Sequence, residues 1–183
     1  KVLAVRPDWA EANEETLHRL IVALDSAARW CDEPDNHGTL SDLLALPAYV
    51  GAPAVLFRTL LAGRFPIDPN GRIREIPDYL AFHRGMANFP WRSQAHWIFA
   101  QMVRWGQVPW SADGATVAAA AFRPDIYRAA LGERAGPVDA LRIEGDAAAD
   151  GFLEGGPFDP ADISAYLARF PIRSDVPVSS TDK

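Results

Sequence analysis

The chain has 183 residues, 49% of them hydrophobic and 23% charged, and its formal net charge is -6. This composition is typical of a globular domain and excludes disordered and fibrous proteins. Cys31 is the single cysteine, which excludes an internal disulfide framework and a cysteine-cluster zinc site, and the acidic balance argues against nucleic acid as a partner.

The first residues of the chain are apolar. Residues 2–5 predict a core strand directly after Lys1, and no initiator methionine precedes them. We therefore expect a fragment, or a mature chain cut from a longer precursor. No stretch reaches the roughly 20 apolar residues that a membrane-spanning helix needs, so the sequence predicts no membrane-spanning segment.

The strongest helical pattern lies at residues 13–32, with Asn13 as the expected N-cap. Apolar side chains recur there at a spacing of three and four residues, which is typical of one helix face. The expected buried face consists of Leu17, Leu20, Ile21, Leu24, Ala27, Ala28 and Cys31.

Two shorter helices follow. One is predicted at residues 38–46, where Thr39 and Asp42 have the spacing of a capping-box variant. The next begins at Pro53, a residue suited to the first helical turn, and ends before Gly63.

Residues 64–91 contain proline and glycine too often for a helix. We expect an ordered loop with a short hairpin around Ile67 and residues 73–76, because Asn70-Gly71 is a strong turn signal between short apolar runs. The loop is expected to pack against neighbouring helices, since its aromatic side chains would otherwise form an exposed apolar patch.

The second half of the chain predicts three more helices. One spans about 93–105, with Ser93 as N-cap and Ile98, Met102 and Trp105 on its buried stripe. Another spans 124–131, between Pro124 and Gly132.

The last predicted helix starts at Asp159-Pro160, after an expected loop at residues 132–158. Its expected buried face consists of Ile163, Tyr166, Leu167 and Phe170. Residues 171–183 are predicted to be an extended or disordered tail.

Motifs for catalysis, metal binding and cofactor binding are absent from the sequence. There is no glycine-rich phosphate loop, nucleophile elbow, helical zinc motif or calcium loop. The four histidines, His18, His37, His83 and His96, are dispersed. The carboxylate pairs Asp32 and Glu33, and Asp159 and Asp162, lie at predicted helix ends, where capping and dipole effects account for them. We expect no catalytic residue, metal or cofactor.

A dense group of aromatic and basic side chains occupies residues 82–92. Such groups line anion sites and interfaces. The alternative, which the residues alone favour, is a packed loop in which Phe82, Phe89, Trp91 and Trp97 form a satellite core. In that alternative, Arg84 and Arg92 satisfy buried carbonyl groups.

Several ordered blocks resemble the nitrate/bicarbonate solute-binding protein family. These blocks are RWCDEPDN at 29–36, LPAYVG at 46–51, FHRGMANFPWRSQ at 82–94 and MVRWG at 102–106. The resemblance covers residues 1–131, and the Phe-Asp-Pro helix start at 158–160 also fits it. The family includes the nitrate-binding components of ABC transporters and related proteins that sense nitrate or nitrite.

The resemblance implies an α/β fold of the periplasmic-binding-protein type II class, with ligand held between two lobes. Residues 1–170 would then be the mainly helical C-terminal part of such a protein. The other lobe would lie upstream and hold most of the anion contacts.

Lys1 resembles the nitrate-contacting lysine of this family, where bicarbonate-binding relatives carry an acidic residue that helps bind calcium. An ammonium group can bind a monovalent anion directly, whereas a carboxylate would repel it unless a cation intervened. The alternative for Lys1 is a solvated terminal side chain, and the residues alone do not decide between them.

Two functions therefore remain open. The first is delivery of nitrate or nitrite to an ABC permease by a periplasmic or membrane-associated binding protein, whose cleft closes around the anion. The second is a cytoplasmic sensor that controls a regulatory protein partner through coupling between anion and partner affinity. An enzyme is disfavoured, because the sequence contains no catalytic constellation.

Overall fold

The computed structural model describes residues 2–76, 79–136, 140–145 and 156–170. Lys1 and the tail predicted at 171–183 therefore lie outside the described residues. The chain divides into two compact units, Lys1–Asn88 and Phe89–Lys183, and each is described by itself. The described part is mainly helical, as predicted.

The first unit contains four helices and one hairpin. Their bounds are α1 Pro7–Ala12, α2 Glu14–Asp32, α3 His37–Ala45, α4 Ala54–Leu61, β1 Arg64–Pro66 and β2 Ile73–Glu75. The strand predicted at residues 2–5 is wrong, and these residues are exposed and belong to no helix or strand. A strand needs a hydrogen-bonded neighbour, and the described residues pair no strand with this segment.

Helix α2 buries a narrower face than its apolar pattern predicts. Leu17 is 3% exposed and Ile21 is also buried, but Leu24 is 45% exposed and Leu20 is exposed as well. Asp25, four residues after Ile21, lies on the buried face instead of Leu24. The prediction for Leu20 and Leu24 is therefore wrong, because an ion-paired carboxylate shares this face with the apolar side chains.

The caps of the first helices differ from the sequence prediction. Asn13 precedes α2, but its side chain donates to the Trp9 carbonyl instead of capping the helix. Helix α3 begins at His37, so Thr39 lies inside the first turn and forms no capping box. Pro53 is the residue before α4, within one position of its predicted start.

Helix α4 is apolar, yet none of its residues is buried. Its first turn, residues 54–57, ends a run of fifteen residues, 43–57, that contains no charged side chain. The charged residues at the two ends of this run, Asp42 and Arg58, form an ion pair at 2.6 Å. The run's exposed large side chains are Leu43, Leu46, Tyr49, Val50, Val55 and Leu56.

The hairpin predicted around Asn70-Gly71 is confirmed. Strands β1 and β2 pair in antiparallel fashion, with Phe65 opposite Arg74. Gly71 has a φ of 80°, a left-handed conformation that glycine adopts without steric cost. Asp68 accepts the backbone N–H groups of Asn70 and Arg72 and so holds the turn.

The described residues of the second unit form four α-helices, and their core lies between α5, α6 and α8. The bounds are α5 Arg92–Arg104, α6 Ala112–Ala120, α7 Pro124–Leu131 and α8 Ile163–Ala168. The buried residues of this core are Phe99, Ala100, Val103, Ala115, Phe158, Ile163, Tyr166 and Leu167. The predicted helix at 124–131 and the burial of Ile163, Tyr166 and Leu167 are confirmed.

Helix α5 presents the opposite face to the one predicted. Ile98, Met102 and Trp105 are exposed, Trp105 by 62%, whereas Phe99 and Val103 are buried. The reason is that α6 and α8 pack against the side of α5 that carries the smaller Ala95 and Ala100. The sequence places apolar side chains on two faces of α5. Packing against α6 and α8 buries the face that was not predicted.

Helix α6 was not predicted, because its alanine-rich sequence has little periodicity. Ser111 caps it by accepting the N–H of Gly114 at 2.9 Å. A Cβ atom on Gly114 would lie 2.7 Å from Phe99, so glycine is what allows α5 and α6 to approach this closely.

Helix α8 begins later than its predicted start at Asp159-Pro160. Asp159 accepts the N–H of Ala161 in a turn, and Asp162 is the actual cap, accepting from Ala165. The predicted loop at 132–158 contains a 3-10 turn, Gly132–Ala135, and a bridge between Glu144 and Phe158.

Candidate functional site

Two blocks that carry the family resemblance contact each other in the first unit, where Asp32 of block 29–36 meets residues 82–84 of block 82–94. Asp32, the last residue of α2, lies beside the segment that begins at Phe82. Its carboxylate accepts the backbone N–H groups of Phe82, His83 and Arg84 at 2.9, 2.6 and 2.6 Å. One side chain thus holds three consecutive peptide groups that are about fifty residues away in the sequence.

The charge of Asp32 is stabilised by these contacts. Burial by itself raises the pKa of the Asp32 carboxyl, but the three backbone N–H donors and the Arg84 guanidinium outweigh it. The pKa therefore lies below its ordinary value, and Asp32 is ionised at neutral pH.

Asp25 forms a second contact between α2 and the same segment. Its side chain is 1% exposed and accepts a hydrogen bond from Arg29 Nε at 2.9 Å. His83 Nε2 lies 3.3 Å from its other oxygen, and this contact is an ion pair when His83 is protonated. Asp25, Arg29 and His83 therefore form a polar cluster around one buried carboxylate, with Arg29 at the surface.

The backbone is strained just after this cluster. Gly85 and Met86 have φ values of 60° and 59°, and for Met86 this left-handed conformation costs free energy. Arg84 donates to the Leu80 carbonyl at 2.9 Å, but this contact is exposed, so the prediction that Arg84 satisfies a buried carbonyl is wrong.

The aromatic residues at 89 and 91 are buried in the second unit. Phe89 and Trp91 make an edge contact with centroids 4.7 Å apart, and Tyr127 packs edge-on against Phe89. The Arg142 guanidinium lies 4.4 Å above the Trp91 ring. These residues confirm the packed-loop alternative for Phe89 and Trp91, whereas Arg92 is exposed.

Ser93 and Glu144 form a buried polar pair below these rings. Ser93 donates to Glu144 Oε1 at 2.5 Å, and Arg142 Nε donates to the same oxygen at 3.1 Å. Ser93 was predicted to cap α5, but it lies within the first turn and Trp91 holds the cap position. Because Ser93 is fully buried, a substrate cannot reach this pair and its role is structural.

The two carboxylate pairs singled out in the sequence have different roles. Asp162 caps a helix and Asp159 holds a turn, as the capping explanation predicts. Asp32 does not cap its own helix, so that explanation is wrong for it. Its partners lie far away in the sequence, and no local pattern could have identified them.

Comparison with known proteins gives a consistent picture. No protein-family model matches the chain. The "Nitrate import ATP-binding protein NrtC" of Synechocystis is 28% identical over 179 residues, which cover 98% of this chain and 26% of that protein. The "Nitrate/nitrite binding protein NrtA" of Synechococcus elongatus is 26% identical over 167 residues, 91% of this chain and 38% of that protein.

A solved structure matches the fold. The crystal structure of the periplasmic nitrate-binding protein NrtA from Synechocystis superposes with a TM-score of 0.81 and 24% identity, covering 92% of this chain and 44% of that one. The chain is similar in sequence to nitrate/nitrite-binding and bicarbonate-binding proteins. The predicted resemblance and the periplasmic-binding-protein fold are thereby confirmed.

The chain spans between about a quarter and two fifths of these relatives' own lengths. Other members that match include the "Bicarbonate-binding protein CmpA" of Synechococcus elongatus, at 21% identity. The match covers 26% of NrtC, and the sequence of this chain contains no glycine-rich phosphate loop.

Two further properties concern only the part of the chain that the structure describes. Within it, no three histidine, cysteine, aspartate or glutamate side chains are grouped closely enough to hold a metal ion. None of its helices combines the length and apolar character needed to cross a bilayer. Lys1, the anion contact expected from the family resemblance, is outside this part, so its role stays a prediction.

Proposed function

We propose that this chain is part of a solute-binding protein that binds a small oxyanion, nitrate or nitrite, and delivers it to an ABC importer. The observation that best supports the proposal is the agreement of fold and sequence on one type of protein. The fold matches a periplasmic nitrate-binding protein along 92% of the chain, and the sequence matches a nitrate/nitrite binding protein along 91% of it.

In this proposal the chain is the C-terminal part of a two-lobed protein, and Lys1 contributes to the ligand cleft. Its ammonium group would bind a monovalent anion directly by a charge-assisted hydrogen bond. The partner is the ABC permease, and the location is the periplasmic face of the membrane. The names of the transporter components NrtC and NrtA support this assignment.

A role without covalent chemistry agrees with the described residues. The Ser93–Glu144 pair is enclosed, and Asp32 and Asp25 are engaged in holding the backbone and the His83 and Arg29 side chains. These contacts connect parts of the chain that are distant in the sequence and so stabilise the fold.

The proposal is tested by titration calorimetry on the complete two-lobed protein with nitrate, nitrite and bicarbonate, each with and without calcium. We expect nitrate or nitrite to bind without metal. Lys1→Glu should weaken that binding by about 1.5 to 3 kcal/mol, the scale of a charge-assisted hydrogen bond. Lys183→Glu is the matched control, because it makes the same charge change at the other lysine of the chain.

Each result of these titrations leads to a different conclusion. If the two lysine variants change the anion affinity equally, Lys1 is not part of the binding site, but the proposal of anion delivery still stands. If the protein binds bicarbonate in the presence of calcium and does not bind nitrate, the proposed ligand changes to bicarbonate, the anion in the name of CmpA. Failure to bind any of the three anions would overturn the proposed function.

A further inference from the structure

Residues 79–88 form a segment that we call the strap; residues 82–84 contact α2, and Tyr79 packs on Phe65 of the hairpin. Asp32, at the end of α2, accepts the N–H groups of three consecutive strap residues, 82–84. We propose that the strap is an acid-released conformational latch, closed on α2 by ionised Asp32 and opened as a local unit when Asp32 takes up a proton.

The position of Asp32 indicates that its carboxylate stabilises the strap and not the end of α2. It is the final residue of α2, where the negative end of the helix dipole disfavours a carboxylate. A negative charge at this point destabilises the helix end unless something else compensates it. The three short N–H contacts from the strap supply that compensation.

Four charged or titratable groups surround the contact, two from each element. From the strap, the Arg84 guanidinium lies 3.7 Å from Asp32, and His83 reaches Asp25 at 3.3 Å. From α2, Arg29 donates to Asp25 at 2.9 Å. Protonation of His83 adds an ion pair with Asp25 and so holds the strap closed, whereas protonation of Asp32 weakens the acceptor of all three N–H groups.

Backbone strain acts in the opening direction. Gly85 and Met86 are both left-handed, with φ near 60°. A non-glycine residue in this conformation is strained, and opening of the strap would release that strain. A strained segment with three consecutive peptide groups bound to one carboxylate is expected to open before the helix to which it is attached.

Hydrogen exchange at the amides of residues 82–84 tests the latch. In Asp32→Asn at neutral pH, we expect exchange of these amides to rise about tenfold or more relative to wild type, since a neutral amide is a weaker acceptor than a carboxylate. The amides around Leu17 and Ile21 in α2 should keep their protection. Asp8→Asn is the matched control, because Asp8 also has a lowered pKa but is held by Arg6, outside the strap.

If Asp32→Asn does not fold, two further measurements test whether the strap opens on protonation of Asp32. In the wild type, lowering the pH should deprotect residues 82–84 before α2, after correction for the intrinsic exchange rate. Met86→Gly should slow exchange of the same amides, since it removes strain from the closed strap. Unchanged exchange in Asp32→Asn, or simultaneous loss of protection in the strap and α2 of the wild type, would overturn the proposal.

Discussion

Ser93 donates a 2.5 Å hydrogen bond to Glu144, and both side chains lie in the interior of the second unit. Removing the hydroxyl leaves the buried carboxylate with fewer donors, so Ser93→Ala should lower the free energy of unfolding by about 1 to 3 kcal/mol. Urea unfolding measures this loss. Ser26→Ala is the control, because Ser26 makes its bond to Val22 at an exposed position of α2 and its loss should cost under about 0.5 kcal/mol. Equal losses would contradict the structural role of the Ser93 contact.

Two glycines in the first turns of short helices should respond in opposite ways to alanine. Gly114→Ala places a Cβ atom 2.7 Å from Phe99, so crowding should lower stability by about 1 to 3 kcal/mol. At Gly38 a Cβ atom meets nothing within 4 Å, and Gly38→Ala should raise stability by about 0.4 to 1 kcal/mol. Thermal unfolding of both variants measures the difference, and changes of the same sign would contradict the close approach of α5 and α6.

The burial of α2 predicts unequal effects for two leucines on the same helix. Leu17→Ala should lower the free energy of unfolding by about 2 to 5 kcal/mol, because Leu17 is enclosed. Leu24→Ala should cost less than about 1.5 kcal/mol, because nearly half of its side chain already contacts water. Denaturant titration of the two variants provides the comparison, and similar losses would place Leu24 on the buried face after all.

His96 should make stability fall on mild acidification. Burial lowers its pKa from the ordinary 6.5, and no described residue gives its Nδ1 atom a hydrogen bond. Between the folded pKa and about 6.5 the unfolded chain binds more protons than the folded one, so stability decreases as the pH falls through this window.

The difference between wild type and His96→Phe isolates this contribution. Urea midpoints measured between pH 7.5 and 5 should decline less steeply in the variant, because the proton uptake by the unfolded His96 is gone. A variant slope equal to that of the wild type would show that His96 does not contribute.

The sequence predicted elements that depend on neighbouring residues and missed those that depend on packing. Asn70-Gly71 specifies its turn locally, so the hairpin was predicted correctly. Helix α5 carries apolar side chains on two faces, and only the positions of α6 and α8 decide that Phe99 is buried while Trp105 is not. Helix α6 lacked a periodic signal because alanine fits either face.

The candidate site shows the same division. The aromatic residues Phe89 and Trp91 could be expected in the interior from their composition alone. The contact of Asp32 with residues 82–84 joins parts of the chain about fifty positions apart. A carboxylate at a helix end resembles an ordinary cap in the sequence, so its true partners become visible only in the fold.

The uncharged run at residues 43–57 has a consequence for how the protein behaves in solution. Its apolar side chains are exposed, and a net charge of -6 at pH 7 keeps separate copies apart. Near the isoelectric point of about 5.2 that repulsion vanishes, while the run's apolar surface is unchanged because it contains no group that titrates there. The solubility minimum should therefore be deep and centred near pH 5.2, and a charged residue at Leu56 should make it shallower.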